Sequence, residues 1–193
     1  MMDANVPRAV VIALLPAVVA LLVGAASAGA ASTVTVNATV TAGSTLSIAG
    51  NGSPSFGLTL NGDDQTASYT LPVQIVDARG LAVGGGWNVT VTSTQFSDGA
   101  GHTFPTTAST ITGVTSACHT GSTCTLPTNS VSNSNLALPA GAGPPTAVKF
   151  YNAATATGLG RIDANATVSV AIPANTIAAT YMSTITVAIA AGP

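Results

Sequence analysis

Apolar and polar residues alternate along the chain in many short runs, and this period of two is typical of half-buried β-strands. The clearest run starts at Trp87, where Trp87, Val89 and Val91 share one face and asparagine or threonine occupies the other. β-Branched residues on both faces favour a strand, and the tryptophan is expected to anchor a core. After residue 30, no helical period extends beyond a single turn. The chain is therefore predicted to be all-β.

Turn-forming residues separate these runs along the whole chain. Besides the Trp87 strand, the pattern predicts strands at residues 33–41, 46–48, 56–60, 68–76, 109–114, 136–138, 148–151, 165–172 and 181–189. Pro72 has no backbone N–H to donate to a neighbouring strand, so it marks its own strand as an edge or a bulge. Short strands divided by turns at this spacing predict an Ig-like antiparallel β-sandwich.

The N-terminus differs from the rest, because residues 9–31 carry no charge and follow Arg8. An apolar stretch at residues 10–23, followed by the small residues Ala28 and Ala30, has the form of a signal peptide with its cleavage site. We therefore predict a signal peptide at residues 1–30 and one secreted domain at residues 31–193. The alternative is an uncleaved membrane anchor, since a run of about 20 apolar residues can cross a bilayer. No second apolar segment of that length follows, so cleavage would leave no membrane span.

Charged residues are rare: the chain has 4 lysines and arginines against 6 acidic residues, all of them aspartate. Nucleic acid is not an expected partner, because its phosphates require a basic surface. The hydrophobic fraction of 47% argues against a disordered protein. A weakly charged surface of threonine, serine, asparagine and glycine suits an exported protein that contacts other surfaces.

Candidates for chemistry are few. Cys118 and Cys124 enclose a short loop rich in glycine and threonine, and after export they are expected to form a disulfide that staples this loop. His102 and His119 lie in no recognisable metal-ligand or nucleophile pattern. We therefore expect no metal, no cofactor and no enzymatic activity, although a catalytic triad assembled across the fold would not be visible in the sequence.

Four residues are candidates for ligand binding: Trp87, Tyr181, Asp77 and Arg79. Trp87 and Tyr181 would serve as aromatic platforms for a glycan, but a tryptophan on the inward face of a strand also fits a core. Asp77 and Arg79 flank a bend that leads to the glycines at residues 84–86. They would either contact a ligand directly or form an ion pair that fixes the bend.

Two segments resemble the WxL family of bacterial surface proteins. The first, DARG followed by GWNVTV and a phenylalanine within residues 77–96, is similar to the family's D-x-R-G…G-W-x-L/V block. The second, YMSTITVAI at residues 181–189 with a closing Gly-Pro, is similar to the family's Y-x-x-T-L-T-W-x-L strand. Val187 stands in place of the second tryptophan and Ile189 in place of the leucine. The resemblance covers essentially the whole chain after the predicted signal peptide.

WxL domains attach proteins non-covalently to the peptidoglycan of Gram-positive cell walls, so the resemblance implies a secreted, wall-associated protein. The expected partner is peptidoglycan or another surface glycan, with other surface proteins or further copies of this chain as additional candidates. The alternative is a self-assembling subunit of an extracellular filament or surface layer. The strand predicted at residues 33–41 has the alternation needed to add to a neighbour's sheet edge, but it is equally able to pair within its own sandwich.

Overall fold

A computed structural model of the protein describes residues 35–81, 85–143 and 145–193. The predicted signal peptide at residues 1–30 lies outside these ranges. The chain divides into two units, Met1–Thr39 and Val40–Pro193. In the first unit, the described residues 35–39 form no regular secondary structure. No helix within the described ranges is long and apolar enough to cross a membrane.

The unit Val40–Pro193 is built from β-strands, so the all-β prediction is confirmed. The strands found in the described residues are β1 (Leu46–Gly50), β2 (Gln65–Asp77), β3 (Trp87–Thr94), β4 (Ser109–Cys118), β5 (Leu136–Ala137), β6 (Ala140–Gly141), β7 (Val148–Ala153), β8 (Gly160–Ile172) and β9 (Ile185–Ala191).

These strands form two sheets. The first has the order β1-β2-β8-β4-β5, and every neighbouring pair in it is antiparallel. In the second sheet, β3 pairs antiparallel with β7 and β9 and parallel with β6. The two sheets share a single hydrophobic core, which gives the sandwich-like architecture expected from the sequence.

The core follows from the alternation of the long strands. In β3, Trp87, Val89 and Val91 are fully buried while the residues between them are only partly buried. The inward residues of β2 and β8 alternate in the same way, and Phe150 of β7 is fully buried in the same core. Burying one large apolar side chain stabilises the fold by about 1.5–3 kcal/mol, so these three long strands account for most of the core energy.

The strand predicted at residues 33–41 is absent from the part of this segment that the structure describes, and that prediction is wrong for residues 35–41. Hydrogen bonding to β2 starts only at Gly43, whose N–H donates to the carbonyl of Ala78 over 2.9 Å. Val36 and Val40 are 85% and 93% exposed. A strand is stable only when its backbone groups pair, so regular alternation alone does not make a strand of residues 35–41.

The strand predicted at residues 56–60 is also not formed. Phe56 and Leu60 still pack against the core, but from a loop. Apolar residues at the spacing of a strand therefore do not by themselves produce hydrogen bonding to a neighbouring strand. The prediction that Pro72 marks an edge strand or a bulge is wrong, because β2 lies between β1 and β8 without a register shift. The proline is tolerated because the pairing with β1 ends at Val73, and on that side the carbonyl of Pro72 still accepts a hydrogen bond from Asn51.

Candidate functional site: two ends of the sandwich

Trp87 lies entirely inside the core, with 0% of its surface exposed. Its indole N–H donates a hydrogen bond of 3.0 Å to the carbonyl oxygen of Gly158, and its ring centre lies 5.6 Å from that of Tyr151. A ring without exposed surface offers no face to a ligand. The structure therefore agrees with the interpretation of Trp87 as a core anchor and does not support a ligand platform at this residue.

Glycine is required at Gly158 for this packing. Its φ angle is +71°, a region that other residues rarely adopt, and a Cβ there would lie 2.6 Å from the indole nitrogen of Trp87 and 2.5 Å from the Cβ of Ala153. Gly86, just before the tryptophan, has φ +100°, and a Cβ there would meet the carbonyl oxygen of Ala153 at 2.6 Å. The indole thus fits because the backbone at Gly158 approaches it closely, while the backbone at Gly86 approaches that of Ala153.

Asp77 and Arg79 form the ion pair that is one of their two predicted roles. The guanidinium donates to both carboxylate oxygens, at 2.9 Å from Nε and 2.7 Å from Nη2, and Nη2 also donates to the carbonyl oxygen of Gly86 at 2.9 Å. Asp77 is only 1% exposed. The hydrogen bond with Asp77 raises the pKa of Arg79 above its ordinary value. The pair joins the end of β2 to the start of β3, and we call the group Asp77, Arg79, Gly86, Trp87 and Gly158 the Trp87 end.

The predicted disulfide is confirmed: Cys118 and Cys124 are bonded, with their Cα atoms 5.4 Å apart. The loop that they close carries His119, whose Nδ1 lies 2.8 Å from Asp163 on β8. This contact with His119 is the main cause that lowers the pKa of Asp163 below its ordinary range. His102 makes a similar pair with Asp98 elsewhere. Across the described ranges, no group of three or more histidine, cysteine or acidic residues is placed to hold a metal ion.

Towards the other end of β2, two loops enclose a groove of about 1240 Å³. Its walls come mainly from residues 50–60 and 176–185. Its other lining residues are Tyr69, Leu71, Pro72, Phe96, Phe104, Ile172 and Val187. We call it the aromatic groove.

Five aromatic rings form a continuous cluster along this groove. Phe56 stacks on Tyr69 with their centres 5.8 Å apart and meets Phe96 edge-on at 6.0 Å. Phe96 contacts Phe104 at 5.4 Å, and Phe104 contacts Tyr181 at 4.4 Å. The chain has only eight aromatic residues, so most of them are concentrated here. Tyr69 and Phe104 are buried in the core, and the other three rings are partly buried against it.

None of the described residues that line the groove is charged. Its polar groups are backbone amides, asparagine, serine and threonine side chains, and two phenols. Burial raises the pKa of Tyr69 to about 12. The pKa of Tyr181 is raised by burial and, to a smaller extent, by the negative charge of Asp98. Both hydroxyls stay protonated at neutral pH, and that of Tyr181 donates to the carbonyl oxygen of Ile177 at 2.9 Å.

The four predicted binding residues therefore do not form one site. Asp77, Arg79 and Trp87 meet at the Trp87 end, whereas Tyr181 closes the ring cluster of the aromatic groove. The other four rings were missed because they lie on separate segments of the chain. A usable signal was present: Phe56, Phe96 and Phe104 sit in segments rich in glycine, serine and proline, where an apolar ring has no strand face to occupy.

The two tryptophan positions of the sequence blocks have different surroundings. Trp87 of the first block is in the core, while Val187, which replaces the tryptophan of the second block, is half-buried and lines the aromatic groove. Val187 pairs with Val91 across the β3–β9 ladder. The two positions therefore have different surroundings, although their strands are neighbours.

Comparison with known proteins agrees with the resemblance of these blocks. No curated protein and no solved structure matches the chain significantly. A family model described as "WxL domain surface cell wall-binding" matches residues 37–193, which include both blocks and all of the strands described above. The chain therefore belongs to the WxL family of surface cell-wall-binding domains.

Proposed function

We propose that the protein is a secreted, non-catalytic module that binds peptidoglycan non-covalently through the aromatic groove. Membership of a surface cell-wall-binding family supports association with the cell surface in general. The observation that carries the finer proposal is the cluster of five rings, from Tyr69 to Tyr181, along a groove with an uncharged lining.

The chemistry of a glycan backbone suits this lining. A sugar ring has a face of C–H groups that packs on an aromatic ring, and hydroxyl and amide groups that hydrogen-bond to neutral polar partners. Anionic wall polymers would instead require lysine or arginine for their phosphates. The proposed ligand is therefore the amino-sugar backbone of peptidoglycan, bound through its uncharged groups.

The size of the groove supports a polymer. Pockets for single small ligands have volumes of about 300–1000 Å³, and the aromatic groove exceeds this range. Its two walls are loops rather than strands, which allows them to adjust to successive sugar units. We therefore propose that several sugars bind at once.

Co-sedimentation of the purified protein with peptidoglycan sacculi, stripped of anionic polymers, tests the proposal. The Tyr181→Ala and Phe56→Ala variants remove one ring each, and each is expected to weaken binding at least about tenfold, equivalent to about 1.4 kcal/mol. Leu126→Ala is the matched control, because Leu126 is an exposed apolar residue that does not line the groove. Its binding should equal that of the unmodified protein.

Two outcomes would contradict the proposal. If the unmodified protein binds unstripped walls but not stripped sacculi, the ligand is an anionic polymer and not peptidoglycan. If Tyr181→Ala and Phe56→Ala both fold cooperatively and bind stripped sacculi as tightly as the unmodified protein, the site lies outside the aromatic groove.

A further inference from the structure

We propose, on the basis of the wall binding proposed above, that the aromatic groove selects N-acetylated sugars and rejects sugars whose amine is free. The nitrogen of an amino sugar exists in two forms: a neutral acetamido group or, once the acetyl group is removed, an ammonium group. De-N-acetylation of the glycan would then weaken attachment without any change in the protein itself.

The two forms of the nitrogen need different partners in a binding site. An acetamido group carries one N–H donor, one C=O acceptor and an apolar methyl group, so it suits neutral amide partners and an apolar surface. An ammonium group has three donors and no acceptor, and its removal from water is costly unless a negative charge faces it. The charge and the hydrogen-bonding groups of the lining therefore decide between the two forms.

An ammonium group in the groove would face no carboxylate among the described lining residues, which are all uncharged. After burial, the charge of Asp98 is the second cause of the raised pKa of Tyr181, so this carboxylate lies close to the groove. Its side chain is only 6% exposed, however. Its oxygens accept hydrogen bonds from the backbone N–H groups of Ala100 and His102 and contact the imidazole of His102. Asp98 is thus committed to its own loop and offers no oxygen to a ligand.

The aromatic rings do not replace this missing charge. A cation is attracted to an aromatic ring when it lies over the face of the ring. A sugar that packs its C–H face on Phe56 or Tyr181 holds its nitrogen at its own edge, beside the ring and not over it. The ring cluster therefore binds the body of the sugar and leaves the nitrogen to the groups around it.

One wall of the groove carries backbone amides without strand pairing. Residues 52–60 belong to no strand, and none of their N–H or C=O groups makes a backbone–backbone hydrogen bond to another described residue. All of these residues except Phe56 and Leu60 are exposed, so their amides are accessible to a ligand. An acetamido group can pair with such amides through both its N–H and its C=O, whereas an ammonium group can only donate.

Apolar side chains for the acetyl methyl group are also present. Leu58, Ile177 and Met182 line the groove and are 38%, 54% and 75% exposed. Exposed apolar surface that is concentrated at a groove marks a binding surface for a ligand with apolar groups of its own. The methyl group of an N-acetylated sugar can cover this surface, and a sugar with a free amine has no such group.

Co-sedimentation with two preparations of the same stripped sacculi tests this selectivity. One is chemically de-N-acetylated, and the other is de-N-acetylated and then N-acetylated again, so that both undergo the same first treatment. The unmodified protein should bind the re-acetylated sacculi at least about tenfold more tightly at neutral pH. Soluble oligomers of N-acetylglucosamine should compete with this binding, and glucosamine oligomers of the same length should not.

A variant that supplies a negative charge to the groove tests the cause of the selectivity. Met182→Asp should bind de-N-acetylated sacculi more tightly than the unmodified protein does, by about two- to fivefold, the range expected for an exposed ion pair. Leu126→Asp is the matched control, because it adds the same charge at an exposed apolar position outside the groove. It accounts for general attraction between the protein and a cationic wall, and its binding should be weaker than that of Met182→Asp.

Three outcomes would overturn the selectivity. Equal binding of the unmodified protein to both preparations would do so and would leave the proposed wall binding intact. Binding to neither preparation would overturn the wall binding and the selectivity with it. Equal gains for Met182→Asp and Leu126→Asp, with both variants unfolding cooperatively, would show that the groove does not distinguish the two forms of the nitrogen by charge.

Discussion

The two ends of the sandwich use aromatic residues in opposite ways. At the Trp87 end, the indole is fully buried and its N–H is hydrogen-bonded. The bidentate ion pair of Asp77 and Arg79 links the end of β2 to the residue before Trp87. In the aromatic groove, Phe56 and Tyr181 are only partly covered and lie on loops. Trp87, the tryptophan of the first sequence block, therefore stabilises the fold. The aromatic surface available for a ligand belongs instead to residues that lie outside the alternating strands.

The strongest test of this comparison is Trp87→Ala. Removing a fully buried tryptophan from a core costs about 3–5 kcal/mol of unfolding free energy, and here it also leaves the carbonyl of Gly158 without its donor. Denaturant unfolding followed by circular dichroism measures this loss. Tyr181→Ala, at the other end, should cost about 1 kcal/mol or less, since its ring is partly exposed already.

Equal losses of stability from Trp87→Ala and Tyr181→Ala would contradict the contrast between the two ends. So would a Trp87→Ala protein that unfolds at the same denaturant concentration as the unmodified chain. Exposed Leu126→Ala provides the baseline, with an expected change within about 0.5 kcal/mol.

Gly158→Ala should cause the next largest effect. The added methyl group would occupy the space of the indole and of Ala153, in a backbone conformation that disfavours alanine, for a total cost of about 2–4 kcal/mol. Gly121→Ala is a matched control, because Gly121 has φ +79° but nothing within 4 Å of the added group. Its cost should be about 1–2 kcal/mol from the backbone alone. Unfolding in urea compares the two variants, and equal costs would show that contact with Trp87 is unimportant.

Much of the fold could be predicted from the sequence because local alternation and burial agree in the long strands. The alternation that starts at Trp87 gives β3, and those at residues 68–76 and 165–172 lie within β2 and β8. The alternation at residues 33–41 is just as regular, but pairing depends on a neighbouring strand that the local sequence does not specify. The disulfide was predictable, since the chain has two cysteines, six residues apart, and these allow a single pairing once the protein is expected to be exported.

The candidate site was harder to predict for a physical reason. Phe56, Phe96, Phe104 and Tyr181 come together only because β2, β3 and the loop before β9 meet at one end of the sandwich. No single stretch of sequence contains two rings in the spacing of a motif. Only Tyr181 was identified in advance, and it was paired with Trp87, whose burial depends on the approach of Gly158 from 71 residues away.

The disulfide should contribute less than the core residues. Closing the loop between Cys118 and Cys124 restricts the unfolded chain and is worth roughly 2 kcal/mol in the chain-entropy model. A Cys118→Ser, Cys124→Ser double variant should unfold at a lower temperature by a corresponding amount, measured by scanning calorimetry. Sacculus binding at a temperature where the variant is folded should be unchanged, because the loop does not line the aromatic groove. A loss of binding would connect the disulfide loop to the site.

The smallest expected effect compares two carboxylates, Asp163 beside His119 and Asp98 beside His102. The histidine contact lowers the pKa of each aspartate below its ordinary value of 3.8. Each carboxylate therefore stays ionised to a lower pH in the folded than in the unfolded protein. Its stabilising contribution is complete above the ordinary value and is lost as the pH falls through the lowered pKa.

Thermal unfolding between about pH 5 and pH 2 measures these contributions. Asp163→Asn and Asp98→Asn should each make the melting temperature fall less steeply with decreasing pH, and both effects should be small because solvent reaches both pairs. The pairs share no residues, so the double variant should show the sum of the single effects. Because Asp98 also raises the pKa of Tyr181, Asp98→Asn should lower the pH at which that phenol ionises, whereas Asp163→Asn should not. An equal change in the ionisation pH of Tyr181 in both variants would mean that the charge of Asp98 has no specific effect on this phenol.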